Sequence, residues 1–417
     1  MRQSIGCRLF LPSILLLVGL IAGPNLASAR ARHERHSRQP AKAPPVQPVP
    51  LSQIRVFDNL PAPFSLDARS AVLLDGHSGA VLYAFNEHEK MQPASLAKMM
   101  TFYLTLKALA QKRITLDTEV TISEKAWRLS MNNQVSRMFL RVGQQVPIHD
   151  LLYGLVVSSG NDAAVALAQY LAGSTGAFVI QMNAEAKRLG LTETHFMNPD
   201  GLPADGQYTT AADMAKLGRD LIERFPNAVT YTSTKYFTFD KIRQPNFNAL
   251  LFHDARVNGI KTGHVDSAGY HLVASADSHG MELISCVLGT TSEARRWEES
   301  EKLIDWGFRT FSSVHPDLHR IVPASIRVYG GVADQVAIAP AEVPYATVER
   351  GKEGTVTAAY VASARYLIAP ITRGAQVGVV NVMLAGKSIA SVPVRTESAV
   401  AEGGFVKRMT DRIRLML

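Results

Sequence analysis

The stretch Pro93-Ala94-Ser95-Leu96-Ala97-Lys98 runs straight into Met99-Met100-Thr101-Phe102-Tyr103-Leu104-Thr105-Leu106. A helix here has to bury most of its length, and it carries Lys98 part of the way in. Ser95 and Lys98, three positions apart, then share one face. An ammonium half buried among Met99, Met100 and the rest of the helix is pushed toward neutrality. A free hydroxyl is a poor nucleophile near neutral pH and needs such a base. The stretch therefore reads as an activated serine, Ser95, with Lys98 as its base.

Two further segments narrow the reading. Ser159-Gly160-Asn161 lies 64 positions after Ser95, and Lys261-Thr262-Gly263 lies 102 positions after Ser159. Taken singly, Ser159 before Gly-Asn-Asp reads as a helix cap, and Lys-Thr-Gly as a surface turn. Together with Ser95 and Lys98 they form the trio S-x-x-K, S-D-N and K-T-G shared by penicillin-binding proteins and class A β-lactamases. The segments Phe196-Met197-Asn198-Pro199-Asp200-Gly201-Leu202, Tyr208 to Ala215 and Ser300 to Phe308 resemble the D-alanyl-D-alanine carboxypeptidases among the low-molecular-mass penicillin-binding proteins. The resemblance spans about residues 64–311 and continues more loosely to the end.

The resemblance implies a serine-type carboxypeptidase that removes the terminal D-alanine from peptidoglycan stem peptides and is acylated by β-lactam antibiotics. Ser95 is then the nucleophile and Lys98 its base, and Ser159 passes a proton toward the leaving amine. Asn161 bonds Lys98 and the substrate backbone. Lys261 brings positive charge that helps keep Lys98 neutral and attracts the terminal carboxylate, and Thr262 donates to that carboxylate. Gly263 lets an extended peptide lie along the strand. The N–H groups of Ser95 and His264 hold the oxyanion. Of the adjacent Arg295 and Arg296, alignment on Glu299 to Lys302 favours Arg296 as a carboxylate ligand. Some relatives carry arginine where Phe247 stands, so one such contact is either missing or replaced here. No cofactor is implied, and none of the usual metal-ligand spacings is present.

The formal charge of +8 divides unevenly: +2 in residues 1–29, +4 in 30–50, +3 in 404–417 and −1 in everything between. A near-neutral body gives no nucleic-acid surface. Arg2 and Arg8 precede an apolar run from Leu9 to Ile21, and Ala27-Ser28-Ala29 offers a cleavage site, which together read as a secretory signal over residues 1–29. Cleavage would leave Cys286 alone, inside the apolar strand Leu283 to Leu288, as a core residue rather than a reactive thiol. Tyr153 and His271 likewise read as packing residues.

Residues 30–57, rich in Pro and Arg with His33 and His36, read as an extended linker. The order of elements over residues 58–313 suits an α+β domain, an antiparallel sheet with helices on its faces, and the resemblance implies that this domain is of the β-lactamase/transpeptidase-like kind. Its expected elements are a hairpin over Ser70 to Phe85, helices over Asp150 to Val157 and Asn161 to Leu171, strands over Gly269 to Ala276 and Met281 to Leu288, and a last helix over Glu293 to Thr310. Short Val- and Ala-rich runs broken by Gly and Pro make 314–397 a small all-β domain. Residues 398–417 hold an amphipathic helix with Phe405, Met409, Ile413, Met416 and Leu417 on one side. Lys407, Arg408, Asp411 and Arg414 lie largely off that side. The pattern suits an anionic membrane surface, with docking on the protein's own body as the alternative. Two other functions stay open: a class A-like β-lactamase, against which Gly160 replaces the expected Asp, and a non-catalytic peptidoglycan-binding or penicillin-sensing protein.

Overall fold

The computed structural model describes residues 50–416. The secretory signal and all but the end of the expected linker lie outside the described residues.

The first domain is built on a six-stranded antiparallel sheet. Its strands run in the order Arg55–Val56, Val81–Phe85, Ser70–Asp75, Met281–Thr290, Gly269–Ser278, Val257–Val265. The sheet is covered on both faces, and alternation along each strand sorts its side chains between two cores. Val72, Leu74, Ile260, Val273, Ile284 and Cys286 face the helical region that the middle of the chain forms. Leu73, Leu82, Tyr83, Leu272, Ala274 and Val287 face the helix Glu293–Thr310, which contributes Leu303, Ile304 and Trp306. The hairpin and the helices Ile148–Val156 and Asn161–Ala172 lie where the residue pattern places them. Cys286 is fully buried, and burial raises its thiol pKa, as a core residue requires.

Two domain limits read from composition need correction. Arg55 and Val56 pair with Ala84 and Tyr83, so the folded body starts inside the expected linker. The limit at 313/314 falls within the strand Phe311–Val314, which pairs with Ala346–Glu349 of the following region. Thr347 Oγ1 also donates to Asp75 Oδ2 at 2.7 Å, so the two regions are joined by hydrogen bonds.

The second domain is a six-stranded sheet in the order Val356–Ala362, Gln376–Leu384, Lys387–Thr396, Gln335–Pro340, Ser325–Tyr329, Leu367–Ile368. Its core is almost wholly valine and isoleucine, among them Val328, Val336, Ile338, Val380, Val382 and Val394. The strand Gln335–Pro340, unmarked in the sequence reading, alternates Val336 and Ile338 inward with small or polar neighbours outward.

A final helix spans Phe405–Arg414. Its polar edge, not its apolar one, meets the second domain. Asp411, 1% exposed, accepts from Gly330 N–H at 2.9 Å and from Lys407, whose Nζ also reaches Asp334 at 2.6 Å. Phe405, Val406, Met409, Ile413 and Met416 are left exposed.

Candidate active site

Ser95 sits in a single 3-10 turn, Ala94–Ala97, that leads into the helix Lys98–Ala110. The expected continuous helix is thus tighter in its first turn. Ala94 enters it with φ +48°, a left-handed conformation that costs an alanine energy and survives only when neighbours impose it. Gly201 is one such neighbour: a Cβ there would lie 1.8 Å from Ala94 O. His271 is another, holding the residue before Pro93 with its Nε2 3.1 Å from Gln92 O and its Nδ1 accepting from Gly289 N–H at 3.0 Å. Burial lowers the His271 pKa to about 4, so the ring is neutral and its Nε2–H donates to Gln92. His271, expected only to pack, therefore positions the serine segment. Tyr153 does pack, stacked on Phe237 and tilted on Tyr231.

Lys98 is buried, and burial lowers its pKa to about 8 against the opposing pull of Asp200 and Asp162. Its Nζ lies 2.9 Å from Ser95 Oγ, 2.7 Å from Asn161 Oδ1 and 2.5 Å from the Asp200 carbonyl oxygen. A neutral amine has two N–H groups and one lone pair. Two of these neighbours can only accept, so the lone pair falls to the Ser95 hydroxyl, the arrangement a general base needs. Asn161 opens the helix Asn161–Ala172, whose N-cap is Gly160. Ser159 is therefore not the cap. It takes φ +52° and receives Lys261 Nζ on its Oγ at 2.9 Å.

Lys261, Thr262, Gly263 and His264 lie on Val257–Val265, an edge strand running beside the Ser95 turn. A Cβ on Gly263 would meet Pro93 O at 3.0 Å and Ala94 Cβ at 3.3 Å. The missing side chain therefore makes room for the Ser95 turn, a different reason from the incoming peptide expected above. Burial, then the Lys98 and Arg296 cations, push the Lys261 pKa down. That works against the positive charge expected of Lys261, and burial, not Lys261, is what lowers Lys98. In either protonation state Lys261 still has an N–H for Ser159. The Ser95 N–H finds no backbone acceptor among the described residues.

Ser292 caps the helix Glu293–Thr310 by accepting from Arg295 N–H at 3.1 Å, and the turn of about 100° between successive helix residues sets the two arginines on different sides. Arg295 faces Asp67 and Glu298 at the surface. Arg296 is 4% exposed and lines the cleft, its Nη2 donating to Phe247 O at 3.0 Å and to Glu293 at 2.7 Å. Burial lowers its pKa, yet a guanidinium starts so high that it keeps its proton. It is the dependable cation of the site. Ser95, Ser159, Asn161, Thr262, Gly263, His264 and Arg296 line one cleft together.

Other groups in the site carried no signal of their own. Asp162 accepts from Met138 N–H, Leu140 N–H and Ser130 Oγ, pinning a loop whose Gln134, Val135 and Ser136 form one wall of the cleft. Asp200 works through its backbone carbonyl, which no residue-type rule marks.

The geometry sets a serine hydroxyl against a buried lysine amine at the edge of a polar cleft, an arrangement suited to a serine-type peptidase. Residues 58–292 match the family described as D-alanyl-D-alanine carboxypeptidase, and residues 319–402 match the C-terminal domain of penicillin-binding protein 5. The chain belongs to the D-alanyl-D-alanine carboxypeptidase family. It is 43% identical to D-alanyl-D-alanine carboxypeptidase DacC of Escherichia coli over 84% of this chain and 88% of that protein. Penicillin-binding protein 5 of Haemophilus influenzae is similar in structure, with a TM-score of 0.69 and 40% identity over 82% of this chain and 99% of that one. Penicillin-binding protein D2 of Listeria monocytogenes, solved in its ampicillin-bound form, covers 58% of this chain and 98% of its own at 30% identity and a TM-score of 0.53.

Proposed function

We propose that the protein removes the terminal D-alanine from peptidoglycan stem peptides ending in D-Ala-D-Ala. Ser95 Oγ attacks the carbonyl between the two alanines while its proton passes to Lys98 Nζ. The C–N bond breaks as Ser159, fed from the lysine pair, protonates the leaving amine. An ester on Ser95 remains. Water, losing a proton to Lys98, then cleaves it and restores the hydroxyl. Asn161 orients Lys98 and the substrate backbone. Thr262 and Arg296 hold the terminal carboxylate, with a guanidinium suited to a two-point grip. The N–H groups of Ser95 and His264 stabilise the oxyanion, a contribution of about 3–4 kcal/mol in comparable sites.

The observation that carries this reading is the pairing of Lys98 Nζ with two groups that only accept and one hydroxyl. β-Lactams acylate the same serine, in keeping with the ampicillin-bound relative. Among the described residues the cleft lining includes no glutamate, the group a class A β-lactamase uses to clear such an adduct rapidly. The protein acts outside the cytoplasm, exported by residues 1–29 and held on the outer face of the membrane by the helix Phe405–Arg414. No helix among the described residues is long and apolar enough to cross a membrane. This one, with 10 residues, is about 15 Å long and lies in the surface.

The test is release of D-alanine from a defined pentapeptide. The wild-type chain is expected to release it and to form a long-lived penicillin adduct, and Ser95→Ala to do neither. Fast penicillin turnover without D-alanine release would replace the carboxypeptidase with a lactamase. Neither reaction by the wild-type chain would leave a non-catalytic binder.

A further inference from the structure

Phe247 is a large apolar side chain that the fold holds in the open. Its neighbours on both sides are drawn inward: Asn246, 6% exposed, donates to Thr234 O at 3.0 Å, and Asn248, 1% exposed, donates to Gly259 O at 3.0 Å. Asn248 N–H also bonds Asn246 Oδ1 at 2.9 Å, closing a small turn. With both asparagines pinned into the protein, Phe247 between them projects outward, and it is 42% exposed as part of the cleft wall. Its carbonyl oxygen is gripped by Arg296 Nη2. Three hydrogen bonds of the flanking asparagines and one to its own carbonyl oxygen thus fix the backbone at Phe247.

That placement matters because of what Arg296 does. In the function proposed above, on which this step rests, Arg296 and Thr262 hold the carboxylate of the substrate's last residue. The carboxylate carbon is bonded to the Cα that bears that residue's side chain, so the side chain stands within reach of whatever flanks Arg296. The cleft lining that Arg296 belongs to also includes the Phe247 side chain, and an aromatic ring rewards apolar contact and offers no hydrogen bond to a small polar group. An alanine methyl would use little of it.

We infer that Phe247 shapes the terminal-residue subsite for apolar D-residues larger than alanine, so that the enzyme also releases a terminal D-leucine-like residue. An apolar pocket discriminates by the area it contacts, and each methylene gained or lost changes kcat/KM by roughly tenfold or more. Phe247 is then a specificity-determining residue.

The experiment uses the full chain and two synthetic peptides that differ only in ending with D-Ala-D-Ala or D-Ala-D-Leu. The readout is the ratio of their kcat/KM values. The wild-type chain is expected to release both residues, and Phe247→Ala to lower the D-Leu to D-Ala ratio by about tenfold. Phe247→Gln, polar but of comparable reach, is the second variant and is expected to lower the ratio likewise. Penicillin acylation of Ser95 verifies that each variant is folded. Release of D-alanine without D-leucine by the wild-type chain overturns the inference, as does an unchanged ratio in a folded variant. Loss of D-alanine release from the wild-type chain would instead overturn the function on which it rests.

Discussion

Gly201 and Ala94 touch so closely that a Cβ on Gly201 would stand 1.8 Å from the Ala94 carbonyl oxygen. Gly201 also has φ +83°, a conformation that costs other residues about 1–2 kcal/mol. Gly201→Ala has therefore to push the Ser95 turn away from Lys98. A displacement of about 1 Å at a reacting group costs on the order of a hundredfold in rate. The variant is expected to be acylated by penicillin about a hundredfold more slowly and to melt about 2–8 °C lower. Stopped-flow acylation and thermal denaturation measure the two effects.

The Lys98 pKa of about 8 predicts a pH dependence. The base form is the active one, and a pKa lowered by burial makes that form available from about pH 8 upward. Below it, acylation of Ser95 should fall by about tenfold for each pH unit, and above it the rate should level off. The acylation rate measured between pH 5 and 9.5 tests this. A rate that is flat from pH 5 to 8 would mean that another group takes the proton.

Much of this site could be read before any coordinates. An apolar run headed by Ser95 and Lys98 suits a buried amine, and the near-continuous apolar runs around Leu73 and Val287 suit strands buried on both faces. What stayed hidden is chemistry carried by groups that residue type does not mark. The Asp200 partner of Lys98 is a backbone oxygen. His271 acts on the Gln92 carbonyl across 179 positions. The charge state of Lys261 depends on burial next to a second lysine, which only the folded arrangement brings about. Periodicity likewise showed which residues of the last helix share a side, but not which side faces the protein.

Arg296 predicts a test of carboxylate binding. A charged hydrogen bond of this kind contributes about 1.5–3 kcal/mol, or about ten- to a hundredfold. Arg296→Leu is expected to lower kcat/KM for D-alanine release by that factor. Arg296→Lys is expected to recover only part of it, because a point charge lacks the planar fork. Steady-state kinetics on one pentapeptide decides; full recovery by lysine would show that charge alone suffices.

The last helix yields a prediction that separates attachment from catalysis. Its apolar residues Phe405, Val406, Met409, Ile413 and Met416 are exposed, while Asp411 fastens its polar edge to Gly330. A helix docked by this edge can keep its apolar side in a membrane surface without leaving the second domain. Removal of residues 404–417 is expected to leave soluble D-alanine release intact and to abolish co-sedimentation with anionic vesicles. Asp411→Ala, which breaks the fastening alone, is expected to keep vesicle binding but to speed hydrogen exchange across residues 405–414. Continued sedimentation of the truncated chain would locate the membrane contact elsewhere. Unchanged exchange in Asp411→Ala would show that the helix is held by something other than its bond to Gly330.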